Sequence, residues 1–391
     1  KILSGHDVSS GGLITTLLEW SFVSDVGLEI KTDCFKEKDL IKILFSEKPA
    51  IVIQISDNSV IEILNDNNIE YYNLGNIGNG QSVRIDDLEF NIKEYRDIWF
   101  ETSYLLDSYQ TKLAKVRFDN YKNQPLTYLF PDGFTTDTLE VDRKIVAAII
   151  REQGVNGDRE MALSLYKAGF KVKDIHMTDL ITGKEDLTDV NMVVFVGGFS
   201  NSDVLGSAKG WAGSFLYNEK AKLSLDNFYK RKDTLSLGVC NGCQLMIHLG
   251  LINNTHDIKP TMKHNDSEKF ESTFVTVEVP KNNSVMLKNL SGSRLGVWVA
   301  HGEGKFNLPK QEKEYNIVMK WGYSEYPANP NGSDFNVAGI CSDNGRHLAM
   351  MPHIERSIFS WQWPYWTNNS IGMTPWITAF ESARIWCESA I

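Results

Sequence analysis

The stretch LSLGVCNGCQLM, residues 235–246, constrains the fold more than any other part of the chain. Leu235 to Val239 is a short apolar run, broken only by Ser236 and Gly238, and reads as a buried strand. It runs straight into Cys240, and Cys243 to Leu249 then reads as an amphipathic helix. Gly238 and Gly242 stand two residues to either side of the cysteine, where glycine permits a strained turn and close backbone packing. A thiol at a strand tip, followed at once by a helix N-terminus, is placed like the serine of a nucleophile elbow. Unpaired N–H groups there favour a thiolate and can receive an oxyanion. Two other readings stay open on these residues alone. Cys240 could be an ordinary buried thiol, or it could pair with Cys243 as a C-x-x-C for redox chemistry or half a zinc site.

The surrounding rhythm is that of a parallel α/β fold from Lys144 onward. Ile145 to Ile150 is a six-residue apolar run, as in a strand buried on both faces. A helix from Asp158 to Ala168 stops at Gly169, and Lys171 to Ile175 and Met192 to Val196 supply further strands. A long helix at about 219–231 precedes the strand that delivers Cys240. This alternation predicts a doubly wound, flavodoxin-like sheet with its site at the strand C-terminal ends. The last third is richer in strands, at Phe274 to Val279, Gly296 to Ala300 and Val337 to Cys341. Asp343-Asn344-Gly345-Arg346 reads as a hairpin turn pairing 337–341 with 347–351. A Trp- and Pro-rich loop at 361–366 reads as packing, and a terminal helix runs from Pro375 to about Cys387.

Residues 1–98 form a smaller α/β module. Its turn is HDVSSGG (6–12), then a helix from Leu13 to Val23 and a strand from Leu28 to Ile30. Asp39 to Phe45 and Val60 to Leu64 read as short helices, and Ala50 to Ile55, Tyr71 to Leu74 and Ser82 to Ile92 as strands, with NIGNG (76–80) as a turn. In HDVSSGG, an Asp with Ser and paired Gly near a helix start could bind a metal-nucleotide. On spacing alone, a turn in which Ser9 or Ser10 caps the helix is the simpler reading. Residues 99–143 read as a connector: a helical stretch from Trp99 to Asp119, then a Pro- and Thr-rich boundary at 123–138. The expected domains are therefore 1–98, a linker at 99–143, and 144–391.

Composition narrows the classes. At 391 residues, 42% hydrophobic and 23% charged, the chain is globular and long enough for two or three domains. A net charge of −10 without a basic block argues against a nucleic-acid partner. No apolar run approaches the length of a membrane span. Five cysteines, few and odd in number, argue against a disulfide framework and for a reducing, cytoplasmic setting. The N-terminus carries neither a signal peptide nor an initiator Met and reads as the interior of a longer chain.

Among eight histidines, His353 stands apart. It follows the strand at 347–351, and Glu355 lies two residues on, where an extended chain turns both side chains the same way. The carboxylate can then fix the imidazole tautomer, the third-member role of a Cys-His-acid triad. For an oxyanion, the candidates are the N–H of Asn241 and those of Gly197-Gly198-Phe199, at the end of a strand in the same sheet.

Together GVCNGCQ, VGGFSNSDVLGSAKGWAGS (196–214), AHGEGKF (300–306) and MPHIER (351–356) resemble class I, triad-type glutamine amidotransferase domains. REQGVNGDREMA, NPNGS and the closing TPW helix are similar to the glutaminase domain of the large, single-chain phosphoribosylformylglycinamidine synthase family. HDVSSGGLITTLLEWSF resembles the C-terminal module of the aminoimidazole-ribonucleotide-synthetase superfamily, which that family carries in its synthetase half. The resemblance implies Cys240 as nucleophile, His353 as base and Glu355 as its orienter. It implies Gly198 and Asn241 at the oxyanion, and Gln244 and the His301 loop near bound L-glutamine. It further implies Asp7 as a Mg²⁺ ligand and Ser9 as a nucleotide contact, in an ATP/ADP site mostly outside this chain. The glutaminase step itself needs no cofactor. The implied enzyme is an ATP-dependent carbon–nitrogen ligase of purine biosynthesis that passes ammonia to formylglycinamide ribonucleotide. Ser10 and Ile354 stand where the family often has Asp and Pro. The alternatives are a thiol-disulfide oxidoreductase using Cys240 and Cys243, and a non-catalytic subunit.

Overall fold

The computed structural model describes residues 1–134, 142–368 and 371–390. The part of the 123–138 boundary from Thr135 to Thr138 lies outside them. The chain divides into two compact units, Lys1–Tyr109 and Gln110–Ile391. The boundary falls within the stretch read as a connector.

Unit 1 comprises β1 (Ile2–Val8), α1 (Gly12–Ser24), β2 (Gly27–Ile30), α2 (Leu40–Leu44), β3 (Ala50–Ile55), α3 (Ser59–Asp66), β4 (Gly75–Gly78), β5 (Ser82–Ile85), β6 (Leu88–Asn91) and α4 (Ile92–Asp107). β1 pairs antiparallel with β3, and a second sheet has the order β4-β2-β5-β6. Leu13, Ile14, Leu17 and Phe22 of α1 pack with Leu28, Ile30, Val83 and Ile85 of that sheet. Three local expectations need correction. The strand expected at 71–74 forms at Gly75–Gly78, running into the turn expected at 76–80, because Gly75 at φ 139° has no Cβ to strike the Glu29 carbonyl. The strand expected over 82–92 folds back on itself as β5 and β6, through Asp86 at φ 51°. The helix expected over 99–119 is two, α4 and α5 (Ala114–Asn120).

Unit 2 continues with β7 (Val146–Arg151), α6 (Asp158–Lys167), β8 (Lys171–His176), α7 (Met177–Thr182), β9 (Met192–Phe195), α8 (Lys209–Leu216), α9 (Glu219–Lys230), β10 (Leu235–Val239) and α10 (Asn241–His248). It then adds β11 (Thr261–His264), β12 (Glu271–Glu278), β13 (Arg294–His301), β14 (Glu303–Asn307), β15 (Asn316–Trp321), β16 (Val337–Cys341), β17 (His347–Met350) and α11 (Trp376–Ala390). Nine of these strands form one sheet, ordered β13-β12-β15-β16-β17-β10-β9-β7-β8. β17, β10, β9, β7 and β8 run parallel, as the apolar runs foretold, and the β-rich final third adds an antiparallel extension. The sheet is therefore mixed. Every residue of β9, β10 and β17 is buried, which is why these strands lack alternation.

Register aligns the tips that matter. Gly238 lies opposite Phe195 on one side and Ala349 on the other, and Val239 opposite Met350. The chain therefore leaves three adjacent parallel strands at one edge, at 196–198, at Cys240 and at 351–353. α10 can settle there because its second residue is glycine. A Cβ on Gly242 would lie 2.0 Å from the Phe195 carbonyl oxygen, and one on Gly238 would lie 2.5 Å from the Gly242 oxygen. Backbone atoms in a sheet centre cannot yield that distance cheaply. Gly242→Ala is expected to destabilise the unit by about 1–3 kcal/mol, read as a lower urea midpoint with little change in slope. An unchanged midpoint would show that α10 is not held by this approach.

Candidate active site

Cys240 sits at φ 53° and ψ −109°, a region that a residue with a Cβ rarely adopts. Its N–H donates to Met350 O on β17 at 2.9 Å, and its carbonyl accepts from Gln244 N at 3.1 Å in the first turn of α10. The sheet and the helix therefore both fix the strained residue. Strain of this kind, of order 1–3 kcal/mol, persists only where the surroundings over-determine it. Sγ lies 3.5 Å from Ala300 O at the end of β13.

His353 and Glu355 are brought to the same edge. His353 is buried, its backbone N–H donates to Trp298 O at 2.8 Å, and Nδ1 lies 2.6 Å from Glu355 Oε1. The two do not share an extended strand as expected. Ile354–Arg356 is a single 3₁₀ turn. The i and i+2 side chains still meet, with His353 at φ −96° and ψ 86° just before that turn. A Cβ on Gly197 would lie 2.7 Å from His353 Cε1 and 3.3 Å from Cys240 Cβ. Glycine at 197 thus keeps open the space beside both side chains. Burial opposes charge on His353. The Glu355 carboxylate, its hydrogen bond to Nδ1 and the neighbouring Cys240 outweigh it, and the pKa rises to about 9. Nε2 is buried without a hydrogen-bond partner among the described residues, and catalytic hydrogen bonds often tighten only when substrate binds.

Gly198 takes φ 140°, and a Cβ there would strike Val155 Cα at 2.5 Å. Phe199 N–H donates to Gly154 O at 2.9 Å and Asn156 N–H to Gly197 O at 3.0 Å. In such an antiparallel bridge the N–H of Gly198 points away from the 154–156 loop. The N–H of Asn241 opens α10. Its side chain is buried and does other work. Oδ1 accepts from Ser200 Oγ at 2.6 Å, and Nδ2 donates to Asp203 Oδ1 at 3.1 Å and Ser207 Oγ at 2.8 Å. These bonds hold the loop in which Asn201, Ser202 and Asp203 all have positive φ.

Gln244 is one turn further along α10 and equally buried. Its Nε2 donates to Glu303 O at 2.6 Å, and Ser207 Oγ donates to its Oε1. Gln244, Ser207, Glu303 and Asn265 line a cavity of about 470 Å³. Cys240, His301 and His353 are not among its lining residues. His301 is buried, with Nδ1 3.2 Å from Asn265 Oδ1. Burial, with the charge of His353, pushes its pKa down to about 3. Ser207, Glu303 and Asn265 were not singled out from sequence. The first two lie inside LGSAKGW and AHGEGKF, so their signal was present. Asn265 sits in a polar loop with no periodicity to mark it.

Cys243 faces the core. It is fully buried, and burial pushes its thiol well above the ordinary range, as it pushes Cys341 and Cys387 to about 12. All five cysteines are free. In unit 1, Asp7 is the penultimate residue of β1, with its side chain exposed and 3.4 Å from His6 Nδ1. The expected serine cap is absent. Gly11 stands at the N-cap of α1 with no side-chain cap, and its N–H donates to Glu47 Oε1 at 2.9 Å. Among the described residues no group of three or more His, Cys, Asp or Glu could hold a metal ion, and no helix is long and apolar enough to cross a membrane.

Residues 144–387 match the family described as CobB/CobQ-like glutamine amidotransferase domain. Residues 1–87 match that described as AIR synthase related protein, C-terminal domain. The chain is 37% identical over 425 residues to a probable phosphoribosylformylglycinamidine synthase, chloroplastic/mitochondrial, of Arabidopsis thaliana, covering 99% of this chain and 30% of that protein. It is 36% identical over 430 residues to the human phosphoribosylformylglycinamidine synthase, covering 98% and 32%. The chain thus spans about a third of the length of these relatives. Among solved structures, PurLQS from Thermotoga maritima shares the fold at a TM-score of 0.50 and 24% identity, over 62% of this chain and 99% of that one. The chain belongs to the CobB/CobQ-like glutamine amidotransferase family, here joined to an AIR-synthase-related C-terminal domain.

Proposed function

We propose that unit 2 hydrolyses L-glutamine through Cys240, His353 and Glu355, and that the ammonia serves a phosphoribosylformylglycinamidine synthase of which this chain is one part. The observation that carries the reading is the strained Cys240 at a helix N-terminus, beside a buried His353–Glu355 pair. The thiolate attacks the carboxamide carbon, and the electron pair moves to oxygen. The N–H groups of Gly198 and Asn241 receive that charge. Collapse expels ammonia, which takes its proton from the His353 imidazolium, and leaves a γ-glutamyl thioester. Water, deprotonated by the now neutral His353, attacks the thioester. Glutamate departs and the thiolate returns. Gln244 and His301 hold the substrate.

The ammonia then serves the ATP-dependent conversion of formylglycinamide ribonucleotide to formylglycinamidine ribonucleotide. Most of that second site lies outside residues 1–391. Asp7, an exposed carboxylate at a strand end, suits one ligand of a Mg²⁺ whose other ligands come from elsewhere, and Ser9 is the adjoining nucleotide contact. Bound Mg²⁺ would neutralise phosphate charge there. We place the reaction in the cytoplasm, on the free cysteines, although the Arabidopsis relative is named for organelles. A thiol-disulfide exchange would require a reactive Cys243, and its complete burial weighs against that.

Treatment with a diazoketone analogue of glutamine is expected to add one label, on Cys240, by mass spectrometry. Cys240→Ser should lose the label and at least about a thousandfold of the glutaminase rate, while Cys243→Ala stays within about threefold. Full activity in Cys240→Ser would sink the reading, and loss of activity in Cys243→Ala would favour the redox alternative. The His353 imidazolium is the proton donor, so kcat/KM should fall as pH rises through about 9. The Glu355 charge helps raise that pKa, so Glu355→Gln should move the alkaline limb to lower pH. A limb that stays in place would show that Glu355 does not set the proton affinity of His353.

A further inference from the structure

We infer that Asn265 is a positioning residue that fixes His301 as a neutral hydrogen-bond acceptor for an N–H of the bound glutamine. The inference rests on the glutaminase reading for its substrate and on the hydrogen bonds alone for its tautomer. Asn265 is buried, and its amide orientation is set by two carbonyls. Nδ2 donates to His301 O at 2.7 Å and to Lys269 O at 3.1 Å. The amide oxygen is thereby turned to the ring, 3.2 Å from His301 Nδ1. An oxygen that only accepts requires a ring nitrogen that donates, so the proton resides on Nδ1. Nε2 is then a bare lone pair. It is buried and has no partner among the described residues.

A buried acceptor without a donor is destabilising, and a ligand N–H would remove that cost. The position suits one. Ala300, the preceding residue, approaches the Cys240 sulfur with its carbonyl, and the ring is near enough to His353 to feel its charge. Asn265 also lines the cavity that Gln244 borders. Glutamine carries N–H donors at both its carboxamide and its α-ammonium. An aspartate at 265 would accept the same proton but would favour an imidazolium, whose Nε2–H would oppose either donor. The neutral amide keeps the acceptor.

The test uses the 391-residue chain with ¹⁵N-labelled histidine. Nitrogen NMR of the unsubstituted protein should show His301 protonated at Nδ1 and bare at Nε2, with the assignment made by His301→Gln. Asn265→Ala should lose that pattern. It should also raise KM for glutamine about tenfold while kcat changes less than about threefold, a split that general unfolding would not give. If the variant folds poorly, Asn265→Ser is the second probe and the same split is expected. A proton on Nε2 in the unsubstituted chain overturns the inference, as does an unchanged KM in a variant whose tautomer has shifted. If the unsubstituted chain has no glutaminase activity, the underlying reading fails and the substrate half of the inference falls with it. The spectrum still decides the tautomer.

Discussion

Gly242 approaches the carbonyl of Phe195 so closely that no side chain fits between helix and sheet. That approach governs the geometry around the thiol. It lets α10 begin directly above the sheet, so Cys240 must turn the chain within one residue and takes a positive φ to do so. The turn leaves the first N–H groups of α10 beside the sulfur instead of beside a capping side chain, and no side chain caps this helix. Such a helix end, with its partial positive charge, is stabilised by an anion. The strain at Cys240 is offset by an all-buried set of parallel strands, and the Cys240 N–H is itself bonded to one of them. Stability and chemistry therefore draw on the same contact.

Two buried imidazoles at the same edge of the sheet are set in opposite states by what faces Nδ1. His353 meets a carboxylate, and its pKa is raised so that the charged ring is favoured. His301 meets an amide, and burial drives it neutral. Burial disfavours the charged ring in both cases, and only His353 has a carboxylate beside it to reverse the sign. A buried His–Glu pair contributes little net stability, because desolvation cancels most of the attraction. The charge on one ring also makes the other harder to protonate, so a single imidazolium at this edge is the favoured state.

Much of this was legible in the sequence because it rests on local patterns. The apolar runs at 145–150, 192–196 and 235–239 disclosed parallel strands, since strands buried on both faces cannot alternate. Glycines flanking Cys240 disclosed the elbow. His353-x-Glu355 was legible as a pair but not in its conformation, because i and i+2 side chains can meet either along a strand or across one 3₁₀ turn. In unit 1 the displaced strand at Gly75–Gly78 shows the limit of propensity. Asn76 and the glycines argue for a turn, yet pairing with β2 outweighs them.

What stayed hidden depends on contacts between segments far apart in the chain. Asn265 lies in a polar loop and carries no weight until the fold sets it against His301, 36 residues on. Ser207 and Glu303 lay within recognisable motifs, but their work is to hold Gln244 and one another, which spacing cannot express. The same holds for the side chain of Asn241. Its position after the cysteine suggested a backbone donor, and its side chain instead fastens a loop of left-handed residues against α10. The elbow at Cys240 can be recognised from a short stretch, because a strained turn needs a particular local sequence. The groups that orient a substrate need only point at one space, and any loop that reaches that space can supply them.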